Sequence, residues 1–155
     1  MIDDTDLVLV EMLQRDARVT NAALARSLDM APSAVHQRVR RLEERGVVRG
    51  YTARIDPSAV GRGLLAFVHL KTDEQLHDTS IPKAVAELPG VLEVHDIAGE
   101  DCYLLKVRAA DTDALHELIR RGVGAVPGVR STRTTIVLKT FAECSDLPLP
   151  ERPAP

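Results

Sequence analysis

Between Pro32 and Gly46 apolar residues recur at helical spacing. Val35, Val39 and Leu42 fall on one stripe, and Ser33, His36, Gln37, Arg40, Arg41 and Glu44 gather on the opposite face. Pro32 suits a first helical turn, where its missing N–H costs no hydrogen bond, and Gly46 suits a left-handed stop. The pattern predicts one amphipathic helix. Ahead of it, AALARSL at 22–28 predicts a short helix with Thr20 as its N-cap, and only residues 29–32 separate the two. Helices joined so tightly must cross steeply, which is the helix-turn-helix arrangement. A first helix is predicted over 3–16, with Asp3, Asp4 and Asp6 at its positive end and Leu9, Val10, Leu13 and Ala17 facing the other two. Leu7, Val8 and Met12 lie partly around its back, more apolar surface than a domain of about 60 residues can hide, and so predict a partner surface. Residues 47–55, VVRGYTARI, read as a strand or short ribbon, and turn signals at 56–58 and 61–63 mark a domain boundary.

Beyond that boundary the pattern repeats. A strand at 64–71 leads to a helix at 81–88, Pro89-Gly90-Val91 and a strand to 97. A second strand at 103–109 leads to a helix at 112–124, Pro127-Gly128-Val129 and a strand to 138. Two strand–helix–strand units in series predict a ferredoxin-like βαββαβ domain with both helices on one face of the sheet. In LLAFVHLK both alternating sets contain apolar residues, so the face without helices needs a cover, and a homodimer of two such sheets is the simplest one. The fold class is α+β: a winged helix-turn-helix domain at 1–62 with its linker strand, a ferredoxin-like domain at 63–143, and a tail at 144–155. The tail has four prolines and no periodic pattern, and is expected to be largely disordered.

Charge sharpens the reading of the first domain. The chain of 155 residues has a net charge of −3, yet residues 1–62 hold ten arginines against nine acids, and 33–49 hold five arginines against two glutamates. Arginine can pair bidentately with guanine and glutamine with adenine, so Ser33, His36, Gln37, Arg40 and Arg41 are the base-facing candidates on duplex DNA, with Arg38 and Arg45 as phosphate or packing contacts. The competing reading is a solvated basic face. Arg49 and Arg54 either touch phosphate from a wing or sit on an ordinary linker strand. A patch this modest binds weakly alone, and oligomerisation would repeat it at neighbouring half-sites.

Other chemistry is thinly represented. Cys102 and Cys144 form no metal-type cluster and are expected as free thiols in a cytoplasmic protein, since no apolar run reaches membrane-spanning length and MIDDTD lacks the basic start of a signal peptide. His36, His69, His77 and His116 lack zinc spacings, so no metal or cofactor is expected. His95, Asp101 and Cys102 could be imagined as a nucleophile and base, but nothing supplies a third orienting group or an oxyanion hole, which argues against an enzyme.

Taken together, the residues resemble the Lrp/AsnC, or feast/famine, regulators. The resemblance is carried by Asp3 and Asp6, Asp16-Ala17-Arg18, Leu24-Ala25, Val35, Arg38-Val39, Leu42-Glu43, Gly46-Val47-Val48 and Gly50-Tyr51. In the second half it rests on 99–107 and on Pro127-Gly128-Val129 with Thr132, Thr134 and 136–138. It covers nearly the whole chain to about Glu143, and implies a DNA-binding transcription regulator that dimerises through its sheet domain, assembles to a tetramer or octamer, and often responds to an amino acid. A free amino acid needs acceptors for its ammonium and donors for its carboxylate. The loop at 98–102 offers Glu100 and Asp101, and backbone N–H groups made accessible by Gly99 and running to Cys102. The resemblance puts this loop between dimers, near Thr132 and Thr134; the plainer reading is a hairpin turn with solvated acids. Two departures stand out: Asp29 and Ala31 replace a common glycine and a capping serine, and Gly99-Glu100-Asp101-Cys102 stands where related regulators often read Gly-x-x-Asp, which implies either an acid shifted by one position or a different effector. Two alternatives remain, a metabolite sensor acting through protein contacts and a DNA-architectural protein without an effector.

Overall fold

The computed structural model describes residues 2–73 and 79–150, which leaves His77 of the expected non-zinc histidines and the last part of the tail outside the description. Two compact units result, one of Met1–Arg54 with Ala142–Pro155 and one of Ile55–Phe141. The break thus comes at Arg54/Ile55, ahead of the expected turn at 61–63.

The first unit holds three helices, α1 (Asp4–Arg15), α2 (Asn21–Leu28) and α3 (Pro32–Glu44). Asp3 caps α1 reciprocally with Asp6: the Asp6 N–H donates to Asp3 Oδ1 at 2.8 Å and the Asp3 N–H to Asp6 Oδ2 at 3.4 Å. Thr20 accepts from the Ala23 N–H at the start of α2. Asp29 ends α2 in the left-handed conformation at φ 50°, which lets the Met30 N–H return to the Ala25 carbonyl. Gly46 does the same for α3 at φ 68°, with the Val47 N–H on the Leu42 carbonyl. As the sequence predicts, α3 starts at Ala31 without a side-chain cap. Leu9, Leu13, Leu24, Ala25, Val35, Val39 and Leu42 form the core.

Three expectations for this unit change. Ala17 is exposed and Leu7 is buried. Leu7 borders a hollow of about 370 Å³ closed by Asp146, Leu147, Leu149 and Pro150, so the chain's own C-terminal segment covers part of the back of α1. That segment forms no helix or strand, but it is not free: the Leu147 N–H donates to Gln14 Oε1 at 2.8 Å and Gln14 Nε2 donates to the Leu147 carbonyl at 3.1 Å. Nor does the strand expected over 47–55 form. Strand pairing needs a ladder to a neighbouring backbone; among the described residues, 47–55 join none, and Gly50 at φ 157° interrupts the extended run.

The second unit is the expected βαββαβ sheet, β1 (Leu64–Thr72), α4 (Ser80–Ala86), β2 (Val91–Asp96), β3 (Tyr103–Ala109), α5 (Thr112–Glu117) and β4 (Val129–Ile136). The strands lie in the order β2-β3-β1-β4, every pair antiparallel. The second helix is shorter than predicted: past Glu117 it widens to a π turn over Leu118–Gly122 and then tightens to a 3-10 turn over Val123–Ala125. Both Pro-Gly-Val corners need their glycine. Gly90 (φ 97°) and Gly128 (φ 91°) are left-handed, and a Cβ would come within 2.7 Å of the Arg108 carbonyl oxygen at the first and of Ile81 Cδ1 at the second. Ala66, Val68, Leu70, Leu105 and Val107 pack with Val85, Leu115 and Val123 to make the core on the helix side. Register puts Leu65, Phe67, His69, Leu104 and Lys106 on the other face.

Candidate functional site

In the first unit the outer face of α3 is built as the periodicity predicts. Ser33, His36, Gln37, Arg40, Arg41 and Arg45 are exposed, opposite the buried Val35, Val39 and Leu42. Some of these groups already have partners. His36 Nδ1 lies 3.1 Å from Asn21 Nδ2, which ties its ring to α2, and Arg40 Nε donates to Glu44 Oε1 at 2.8 Å. The Arg40 pair is exposed on both sides, so water or phosphate displaces it at little cost. Tyr51 donates to Glu43 Oε1 at 2.8 Å; burial first, and that carboxylate second, push its phenol up to about 12, so it stays a donor.

Arg38 belongs elsewhere. Its Nη1 donates to Asp3 Oδ2 at 2.6 Å and to Asp6 Oδ1 at 2.7 Å. These bonds raise the guanidinium's already high pKa and hold the Asp3 carboxyl below its ordinary value. Of the two roles the sequence leaves open for Arg38, phosphate or packing, the geometry supports packing: it braces α3 against the start of α1.

In the second unit the β2–β3 hairpin carries the acidic loop. The Ile97 N–H donates to the Cys102 carbonyl at 3.0 Å, and the Cys102 N–H donates to the Leu70 carbonyl at 2.7 Å, pinning the loop to the end of β1. Gly99, at φ 151°, adopts a conformation that other residues rarely take. Asp101 is turned inward, its side chain 12% exposed, whereas Glu100 is 94% exposed and only 3.9 Å from Lys71 Nζ. A hollow of about 350 Å³ opens here, lined by Lys71, Glu100, Asp101, Ser131, Thr132 and Arg133.

Lys71, Ser131 and Arg133 line this hollow without having been named by the sequence reading, and His69 stands behind it against Asp101. Arg133 Nη2 donates to Asp101 Oδ2 at 2.5 Å, and this bond, ahead of the nearby His69 and Lys71, holds the Asp101 carboxyl below its ordinary value. His69 Nδ1 lies 3.3 Å from the same oxygen, yet is the buried side-chain polar atom left without a hydrogen bond among the described residues. The pleat accounts for the omission. His69 pairs with Arg133 across β1 and β4, which puts both on the open face; Thr132 and Thr134 pair with Leu70 and Val68, on the helix face. Thr132 still borders the hollow, but Thr134 does not. Period two along β4, read from Arg133 instead of the threonines, is the signal that would have found it. His95 Nε2 lies 3.0 Å from Glu93 Oε2, and Asp101 accepts from Arg133.

Comparison with known proteins now gives this architecture its class. Residues 2–49 match the winged helix-turn-helix DNA-binding domain and residues 65–147 match the Lrp/AsnC ligand binding domain. The chain is 43% identical over 140 residues to the HTH-type transcriptional regulator LrpA of Mycobacterium tuberculosis, covering 90% of this chain and 92% of that one. It is 32% identical over 153 residues to the leucine-responsive regulatory protein of Escherichia coli K12, covering 97% and 93%. A solved feast or famine regulatory protein from M. tuberculosis, complexed with L-methionine, superposes with a TM-score of 0.87 at 41% identity over 95% of this chain and 99% of its own. The chain belongs to the Lrp/AsnC family of transcription regulators, and its relatives are regulators rather than enzymes.

Proposed function

We propose that this regulator reads duplex DNA through Ser33, His36, Gln37, Arg40 and Arg41 of α3, with Arg45 on phosphate, and binds an amino acid in the hollow between the 98–102 loop and β4. The observation that carries the sensing half is the inward-facing Asp101 with Arg133, Lys71 and the backbone beside Gly99, which gives one small hollow both the acceptor and the donors a zwitterion requires. The relative crystallised with L-methionine supports the same ligand class. The DNA half rests on the exposure of the α3 face over a buried apolar stripe.

The protein acts as a homodimer that assembles further, to a tetramer or octamer. Supporting this, Phe67 and Leu104 stand partly exposed on the sheet face without helices, and Leu92 and Ile136 are exposed at 55% and 43% on the outer strands. No described helix is long and apolar enough to cross a membrane, in keeping with a cytoplasmic site of action.

Calorimetry with each of the twenty amino acids tests the sensor, with heat expected from at least one and weaker binding in Asp101→Ala. Absence of heat from all twenty would remove the amino-acid reading and leave a DNA-binding protein without this effector. Selection of bound duplexes from a random pool, followed by a salt titration, tests the DNA half. The expected result is a consensus half-site with affinity falling steeply as salt rises. Unselective, salt-insensitive binding would sink it.

A further inference from the structure

Asp101 and Arg133 are paired with each other, and an amino acid entering the hollow must deal with that pair. We propose that the effector inserts into it: its α-carboxylate takes the Arg133 guanidinium, its α-ammonium takes the Asp101 carboxylate, and one internal ion pair is exchanged for two to the ligand. This rests on the hollow being the effector site. It goes further in making recognition a replacement of an existing bond by a zwitterion, with the ligand's two backbone charges as the required chemistry.

Three features make the exchange feasible. The Arg133–Asp101 contact is a single hydrogen bond from Nη2, where a guanidinium can give two parallel bonds to a carboxylate, so a ligand carboxylate has better geometry available than Asp101 uses. The Arg133 side chain is 63% exposed, so an incoming anion reaches it without opening the core. His69 Nδ1 waits 3.3 Å from Asp101 Oδ2 with no hydrogen bond of its own. A small rotation that takes Asp101 off Arg133 can bring the carboxylate into line with this nitrogen, which removes an unsatisfied buried group at the moment the ammonium arrives.

Net charge in the hollow is unchanged by the insertion, because a zwitterion adds none. A ligand lacking either charge leaves one member of the pair without its new partner. Selection is therefore for a free α-amino acid. The loop consequence is mechanical: the Arg133–Asp101 bond links the hairpin to β4, while the Cys102 N–H on Leu70 holds its base on β1. Exchange releases the link to β4 and keeps the hinge.

The test uses the full chain and calorimetry, first with L-methionine and the other amino acids, then with the carboxamide and the N-acetyl form of the tightest binder. Arg133→Ala, Arg133→Lys and Asp101→Asn are measured beside the parent, with circular dichroism melts confirming that each is folded. Amidation should weaken binding by about tenfold or more in the parent, as should Arg133→Ala with the free amino acid. The two losses should not add: Arg133→Ala should bind amide and acid alike, Asp101→Asn should bind N-acetyl and free forms more nearly alike, and Arg133→Lys should recover part of the affinity. If amino acids bind but Arg133→Ala keeps parental affinity, or loses amide and acid equally, the exchange is wrong and the effector site stands. If none binds, both fall.

Discussion

Arg38 and Arg133 each hold aspartate, and the difference between the two arrangements separates a brace from a binding group. Arg38 is 27% exposed and bonds to two acids, one of which, Asp6, is 12% exposed and already part of the α1 capping box. Arg133 is 63% exposed and makes one bond to a residue on a loop. The chemistry is the same in both. Asp6 and Asp101 are equally buried, at 12% exposed, so what differs is the arginine: Arg38 is itself half-buried and holds two acids, whereas Arg133 reaches its single acid from a side chain that is largely in water. An arginine's role therefore follows from how many partners it has and how exposed the guanidinium itself is.

The largest effect that would break this contrast is on stability. Arg38→Ala should cost about 1–3 kcal/mol in urea unfolding, because two charge-assisted bonds go and Asp6 keeps its burial. Arg133→Ala should cost less, about 1 kcal/mol or under, because one bond goes instead of two and the guanidinium is largely solvated. Equal losses would mean that exposure does not distinguish the two pairs.

A second measurement sharpens the contrast within α3 itself. Arg41→Ala should weaken binding to a selected duplex by about 1–3 kcal/mol and relax base preference at its position, since Arg41 is exposed on the proposed reading face. Arg38→Ala, measured below its melting range, should leave base preference intact. A relaxed preference in Arg38→Ala alone would put the reading face on the wrong side of the helix.

Acid gives a smaller, directional test. In the folded chain the Asp3 carboxyl lies below its ordinary value of 3.8, chiefly through Arg38. A depressed carboxylate contributes stability that is fully present above that ordinary value and is lost as pH falls through the lower, folded one. The parent should therefore lose stability on acidification in the region below about pH 4, and Arg38→Ala should show a flatter limb there. Asp3 is more than half exposed, so the effect should be modest and should shrink further with added salt. Superimposable acid limbs at low salt would show that Arg38 does not hold Asp3 in solution.

The two units also differ in how much of them the chain makes legible. Strands β1 and β3 fall where the alternation puts them, and the Pro-Gly-Val corners locate the two turns, because a period of two and a left-handed glycine are local signals. The same holds for Val35, Val39 and Leu42, and for Asp29 at φ 50°. Contacts between elements distant along the chain were not legible. Nothing around Arg38 announces Asp3 and Asp6, Leu147 carries no mark of Gln14, and Arg133 looks like any polar residue of an edge strand until register sets it beside His69 and Asp101. The missing strand at 47–55 is the reverse case, since local propensity was present and a pairing partner was not.

Ala31 supplies the smallest effect and ties the contrast to the start of the reading helix. The Ala34 and Val35 N–H groups both donate to the Ala31 carbonyl, but no side chain caps the free N–H groups of the first turn, and Pro32 removes only one of them. Ala31 has φ −66° and ψ 136°, the extended geometry that a capping serine adopts, so the hydroxyl oxygen introduced by Ala31→Ser can accept from a first-turn N–H without rebuilding the turn. The gain should be about 0.5–1 kcal/mol in urea unfolding. In Arg38→Ala the same substitution should add its parental increment if the cap and the brace act independently, and more if the brace already fixes the helix start, because the cap then replaces what was lost. The double mutant thus measures whether Arg38 stabilises only α1 through Asp3 and Asp6 or also holds the first turn of α3 in place.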